Sequence, residues 1–216
     1  MTAHNARDYG NRALRTKGAT MRIFRMTQLK LTPWRNGGGV TREIAAARTG
    51  EDLVWRLSMA DVDVDGPFSN FSGLTRILTV IDGDGMDLVS PERTLQANLG
   101  QPVQFDGGLK IDARLRGGPT RDFNLVFDPL LCRGQVDPLM GPHRRDLRAS
   151  PQCIHAVHNL HGAIEFDPTS GLHSGDTALI ENEHAVLNLM DGATALLVTL
   201  AFPSQVDASK VATAER

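Results

Sequence analysis

Histidine is absent between Met21 and Arg133; the seven in the chain are His4 and six from His143 onward. A transition-metal site needs several His, Asp, Glu or Cys side chains at fixed geometry, so this stretch offers no histidine-based metal centre. Cysteine is scarce too. Only Cys132 and Cys153 occur, in no metal-type spacing, and two buried thiols in a cytoplasmic protein are expected rather than a disulfide. The chain has no G-x-S-x-G and no G-x-x-x-x-G-K-[ST], and neither cysteine can be placed beside an activating histidine. No apolar run is long enough to span a bilayer, and no long helical periodicity appears. The formal net charge is −2, which leaves no basic field for a polyanion and argues against nucleic acid as the main partner. Residues 1–20 carry arginines without an apolar core or an apolar helical face. They read as a disordered extension rather than a secretory signal, with Met21 opening the folded part.

What is present is a chain of 216 residues that is 41% hydrophobic, enough for a core in one large or two small domains. Short period-two runs are broken by Gly, Pro, Asn and Asp. Strands are expected over Arg22–Leu29, Thr41–Arg48, Leu53–Val62, Arg76–Ile81, Met86–Val89, Leu109–Leu115 and Phe123–Phe127. A second set covers Cys153–Leu160, Ala163–Phe166, Thr177–Ile180, His184–Leu189 and Thr194–Leu200. Many short strands at close spacing predict an all-β sandwich or barrel. The stretch from Leu130 to Pro151, rich in Pro, Arg and Asp, reads as a long, weakly structured connection. The organisation is then a main lobe over 21–130, a smaller β lobe over 151–203, and a frayed tail over 204–216.

Among the residues that carry chemistry, Pro33-Trp34-Arg35-Asn36-Gly37-Gly38-Gly39-Val40-Thr41-Arg42-Glu43-Ile44 stands out. Three successive glycines let backbone approach another surface closely, and the polar residues beside them suggest a small polar ligand. Alternation in Leu53–Met59 puts Trp55, Leu57 and Met59 on one face and Arg56 with Ser58 on the other. In Arg121–Phe127 it sets Asp122 and Asn124 opposite Phe123, Leu125 and Phe127. If the polar faces point inward they line a pocket; if outward they are ordinary solvated faces. The inward arrangement has Arg56, Ser58, Asn124 and Glu43 lining one cavity, with Asn36 and Thr41 at its edge and Arg42, Arg76 and Asp122 as further polar groups. A guanidinium can take a carboxylate through two parallel hydrogen bonds. In the segment Asp65–Arg76, Phe68 and Phe71 either plug a barrel end or wall a pocket mouth, and plugging is the simpler account. The run His155-Ala-Val-His158-Asn-Leu-His161 would align on a helix. Ile154 and Val157 favour a strand, which sends His155 and His158 to opposite faces, so no metal is expected there.

Taken in order, Trp34-Arg35-Asn36-Gly37-Gly38-Gly39 with Thr41-Arg42-Glu43-Ile44, Trp55-Arg56-Leu57-Ser58, Gly66-Pro67-Phe68-Ser69 with Phe71, Gly73 and Arg76, and Gly118-Pro119 with Asp122-Phe123-Asn124 resemble the HutD/Ves family of bacterial cupin-like proteins. The sharp motifs lie within residues 33–127. The resemblance implies a cytoplasmic double-stranded β-helix, a jelly-roll barrel of bicupin-like form. It implies a gene context of histidine degradation and a metal-free, cofactor-free role. That role is binding a small acidic metabolite of the pathway, of the urocanate or N-formylglutamate type, to limit flux. No assigned reaction comes with it. The alternative is an isomerase or hydrolase with Glu43 or Asp122 as general base. The expected partner is a small carboxylate, not nucleic acid or membrane, and a homodimer is compatible with this reading.

Overall fold

The period-two runs fold as strands throughout residues 20–166 and 170–203, which the computed structural model describes. In chain order the strands are β1 (Thr20–Phe24), β2 (Leu31–Pro33), β3 (Gly39–Thr49), β4 (Asp52–Val62), β5 (Gly66–Pro67), β6 (Thr75–Asp82), β7 (Met86–Val89), β8 (Thr94–Ala97), β9 (Pro102–Asp106), β10 (Asp112–Leu115) and β11 (Thr120–Phe127). They continue as β12 (Arg133–Met140), β13 (His143–Leu147), β14 (Cys153–His161), β15 (Ile164–Phe166), β16 (Ser170–Leu172), β17 (Thr177–Glu181), β18 (Ala185–Leu189) and β19 (Thr194–Ala201). One turn of 3-10 helix, Met26–Gln28, is the helical content of the described residues. None of their helices is long and apolar enough to cross a membrane.

These strands make four antiparallel sheets that pair into two sandwiches. In the first, the sheet β2-β3-β4-β11-β6-β9 faces β5-β10-β7-β8 across a core that includes Ala60, Leu78, Val80, Met86, Leu88 and Phe105. In the second, β1-β17-β14-β19-β12 faces β13-β18-β15-β16 across Val157, Ile164, Phe166, Ile180, Leu187 and Leu197. The two larger sheets then pack back to back. Trp55, Leu57, Met59, Phe123 and Leu125 from one meet Ile154, Ala156, Leu179, Leu196 and Val198 from the other. The result is a cupin-like fold of two sandwiches in four layers. The lobes close as paired sheets rather than as continuous barrels.

The stretch expected to be a loose connection is ordered. Between Leu130 and Pro151 lie β12, paired along its length with β19, and β13, paired with β18. Both are edge strands, and that is why their pattern reads poorly. Only Val136 and Leu139 of β12 are buried, and Pro138 is tolerated because an edge strand can spare a ladder donor. Of β13 only Leu147 is buried, and its arginines protect an exposed edge from pairing with another chain. The short strands β2, β5, β8, β9 and β16 were also not foreseen, because two to five residues hold too few positions to show alternation. At the start, the expected strand stops at Phe24, and β1 crosses to pair with β17 of the second sandwich. The readings of 1–20 as a disordered extension and of 204–216 as a tail fall, apart from Thr20, outside the described residues.

The three glycines serve the β2–β3 hairpin. Gly37 has φ +71, the left-handed turn conformation, and donates to the Trp34 carbonyl at 3.1 Å. Gly39 lies against β4, where an added Cβ would fall 2.2 Å from the Asp61 carbonyl oxygen. Gly38 is unconstrained by comparison, its virtual Cβ meeting only the Asn36 side chain at 3.4 Å. We therefore expect Gly39→Ala to cost about 2–3 kcal/mol by forcing β3 off β4, and Gly38→Ala to stay within about 0.5 kcal/mol. Urea denaturation midpoints of the two variants check this; equal effects would contradict it.

Candidate functional site

The face of the six-stranded sheet that looks away from the second sandwich carries a band of polar residues in register. Ser58 on β4 lies opposite Glu43 on β3 and Asn124 on β11. Arg56 lies opposite Val126, which in turn pairs with Arg76 on β6. Ala60 lies opposite Thr41 and Asp122. Cross-strand partners share a face, so this register alone gathers side chains from four strands. The segment after β5 brings Phe68, Ser69 and Phe71 over the band. The outcome is a small, open cleft lined by Trp34, Thr41, Arg56, Ser58, Ala60, Phe68, Ser69, Phe71, Arg76 and Asn124.

Two guanidiniums dominate it. Arg56 stacks over the Phe71 ring at 4.8 Å. Arg76 stacks over Phe68 at 4.8 Å and lies 5.6 Å from the Phe105 centroid. Such contacts are worth about 0.5–2 kcal/mol, more where water is excluded. Arg76 is buried at 7% exposure, and desolvation lowers its pKa to about 10, opposed by the charge of Asp122. Desolvation likewise lowers Arg56, opposed by Glu43. Both remain cationic at neutral pH. Among the described residues Arg56 makes no hydrogen bond, and its Nε is buried without an acceptor. Trp34 closes one wall: its Nε1 donates to Thr41 Oγ1 at 2.7 Å, and its ring meets Phe68 edge-on.

The structure therefore brings together Arg56, Ser58, Asn124, Thr41 and Arg76 from the sequence-derived set. Four others lie elsewhere. Glu43, although opposite Ser58 in the register, is exposed and off the lining and acts on Arg56 through its charge. Asn36 holds the hairpin turn instead, its Oδ1 accepting from Gly38 N at 3.1 Å. Arg42 points to the opposite face and pairs with Asp61 at 2.5 Å, an ion that Arg121 also contacts. Asp122 lies beneath the lining, fully buried, bound to the Asn124 amide. Phe68 and Phe71 wall the cleft mouth rather than plug a barrel end. Each aromatic covers one cation, Phe71 on Arg56 and Phe68 on Arg76, contacts that only the tertiary fold shows.

On β14, His155 and His158 do face opposite ways. His158 is buried between the sandwiches, stacked on Phe123 and bonded through Nδ1 to Thr177 Oγ1 at 3.0 Å. Among the described residues no three His, Cys, Asp or Glu side chains are grouped to hold a metal ion. One expectation is corrected: Cys153 does have a histidine beside it. Cys153 and His155, two apart on one strand face, bring Sγ within 3.5 Å of Nε2. Burial raises the thiol and lowers the imidazole, so the pair is neutral rather than a thiolate–imidazolium couple. Cys132 is buried, and desolvation pushes its thiol up to about 12.

The family model for HutD matches residues 26–198, a span that contains every residue of the cleft. The chain belongs to the HutD family. It is 37% identical over 143 residues to an uncharacterised 21.2 kDa protein of Pseudomonas putida from the hutC 3′ region, covering 63% of this chain and 74% of that protein. Its fold is similar to that of HutD from Pseudomonas fluorescens SBW25, solved in a formate condition, with a TM-score of 0.74 and 29% identity over 85% of this chain and 100% of that one. A conserved protein of unknown function from Pseudomonas aeruginosa PAO1 gives the same TM-score at 30% identity, over 84% of this chain and 98% of its own. HutD proteins are thus associated with histidine-utilisation genes.

Two buried groups of this HutD-family chain titrate in opposition. Desolvation raises Asp122 from 3.8 to about 6, so between those values the folded protein holds a proton that the unfolded chain has lost. Its contribution to stability falls as pH rises through that window. Desolvation lowers His158 from 6.5 to about 4, so there the unfolded chain holds the extra proton and stability falls as pH drops. Each shift corresponds to about 3 kcal/mol, and the two slopes largely cancel. Unfolding free energies measured from pH 4 to 6.5 should separate them. The difference Asp122→Asn minus parent is expected to rise with pH, and His158→Gln minus parent to fall. Slopes of the same sign would refute the assignment.

Proposed function

We propose that the cleft binds a small carboxylate of histidine degradation, of the urocanate or N-formylglutamate type, and that this binding limits flux through the pathway. The observation that carries the reading is a pair of cationic guanidiniums opening into one cleft whose lining holds no carboxylate. Stacking on Phe71 and Phe68 fixes both planes without neutralising their charge. A planar carboxylate matches a guanidinium edge bidentately. Ser58, Thr41 and Asn124 add short polar groups, and Trp34, Phe68 and Phe71 offer apolar walls for the ligand body. That mixture of apolar wall and few convergent polar groups is typical of small-molecule sites. The family's association with histidine-utilisation genes selects the acids of that pathway. Neither carboxylate considered as a general base lines the cleft, so binding is favoured over catalysis.

Arg56 is the group to remove, because it has the freer guanidinium. Leaving a ligand carboxylate unpaired in such a site costs about 2–5 kcal/mol. Isothermal titration calorimetry with urocanate and with N-formylglutamate should show Arg56→Ala without measurable binding at an unchanged fold. Arg56→Lys should recover part of the affinity, since an ammonium cannot reproduce the planar fork. Parent-like binding by Arg56→Ala would move the ligand away from this cleft.

A further inference from the structure

Arg76 makes one protein hydrogen bond among the described residues, from Nε to Asn124 Oδ1 at 2.8 Å. The other end of the same amide, Asn124 Nδ2, donates to Asp122 Oδ1. All three side chains are buried, at 7%, 3% and 0% exposure. A primary amide has a donor end and an acceptor end that occupy almost the same space, so it can flip by 180°. Flipped, Asn124 would turn its NH₂ toward the Arg76 N–H, donor against donor. Arg76 itself disfavours this, since a guanidinium has only donors and needs the amide oxygen. Asp122 disfavours it from the other end, because an ionised carboxylate only accepts and therefore takes the NH₂ end. The amide oxygen is then left for Arg76.

We infer that Asp122 is a positioning residue: it anchors the NH₂ end of the Asn124 amide whose oxygen Arg76 takes, and through that amide locks Arg76 with its terminal nitrogens free to meet a ligand. The functional consequence rests on the carboxylate-binding reading of the cleft; the positioning itself does not. The second Asp122 oxygen, Oδ2, is buried with no hydrogen-bond partner, which leaves Asn124 as the single group the carboxylate orients. The charged groups acting on Asp122 are Arg76 from β6 and Asp61 from β4. Asp122 thereby leaves the list of candidate bases, because Asn124 and the cleft lining separate it from any bound molecule.

The test reads the arginine directly. In ¹⁵N NMR spectra of the ligand-free full chain, the Arg76 Nε–H should be a distinct, slowly exchanging resonance. Asp122→Asn retains an amide oxygen for Asn124 Nδ2 and should preserve it, whereas Asp122→Leu should lose it, with at least tenfold faster exchange. Affinities for urocanate and N-formylglutamate should follow the same order: within about threefold of the parent for Asp122→Asn, and at least tenfold weaker for Asp122→Leu. Protected Nε–H and parent affinity in Asp122→Leu would overturn the inference. Should that variant not fold, the parent protein decides. On acidification through pH 6 the Asn124 side-chain amide and the Arg76 Nε–H should shift together with one midpoint, and the shift should vanish in Asp122→Asn; independent behaviour refutes the coupling. If the parent binds neither acid, the carboxylate reading fails while the NMR result still decides this one.

Discussion

Burial of the six-stranded sheet on both faces is the constraint from which the rest follows. One face packs against the second sandwich through Trp55, Leu57, Met59, Phe123 and Leu125. The other packs against its own partner sheet through Ala60, Leu78, Val80 and Phe105. A polar side chain on either face is therefore desolvated and needs partners close by. This is why Ser58, Asn124, Asp122 and Arg76, ordinary residues on a solvated sheet, form a tight band here. It is also why their ionisations move: burial is the largest cause of the shifts at Arg76, Asp122 and Arg56. The second sandwich thus supplies the low-dielectric backing of the first one's cleft while contributing no residue to its lining.

The same layering explains what could be read from the residues and what could not. The central strands β3, β4, β6, β11, β14 and β19 have long alternating runs with large apolar side chains, and their positions were legible. Edge strands were not. Gly134, Pro138 and the arginines of Arg133–Leu147 look like a linker, because an edge strand has few buried positions and carries the very residues that discourage further pairing. Alternation sets Arg56 with Ser58 and places Asn124 opposite the apolar face, but that these faces look into a cleft, and that Arg76 joins them, comes only with the register of four strands. Glu43 could not be placed, because alternation puts it on the Ser58 face but does not show that its side chain stays exposed and off the lining. Asn36 is open to two readings in the letters. Beside three glycines its amide suits a ligand contact or a turn equally well, and the turn won. The role of Phe68 and Phe71 depends on a loop crossing a sheet, which is a tertiary event without a local pattern.

Stability and binding pull in different directions at this site. A buried cation is ordinarily matched by a carboxylate, and elsewhere in the molecule that is what happens: Arg22 pairs with Glu181, Arg25 with Asp176, and Arg42 and Arg121 with Asp61. In the cleft the pattern is broken. Arg56 and Arg76 are faced by phenylalanine rings, which attract a cation through their quadrupole but do not cancel its charge. Two like charges, of which Arg56 depresses the ionisation of Arg76, are held in a poorly hydrated space. That arrangement is costly for folding alone, since removing charge from water without full pairing carries a penalty.

The form of the compensation is what supports the proposed anionic ligand. Had the cleft been built for stability, a glutamate at the Ser58 or Thr41 position would neutralise it, because both side chains already lie on the lining. The one carboxylate near Arg76 is instead withdrawn beneath the surface, where it neutralises part of the charge through Asn124 without occupying the guanidinium's outer edge. Arg76 is thus rigid but available, and Arg56, stacked on Phe71 with no hydrogen bond among the described residues, is available with more freedom. A rigid donor fixes where the first carboxylate oxygen sits. On the proposed carboxylate reading, a freer donor beside it can close on the rest of the ligand, which assigns orientation to Arg76 and accommodation to Arg56.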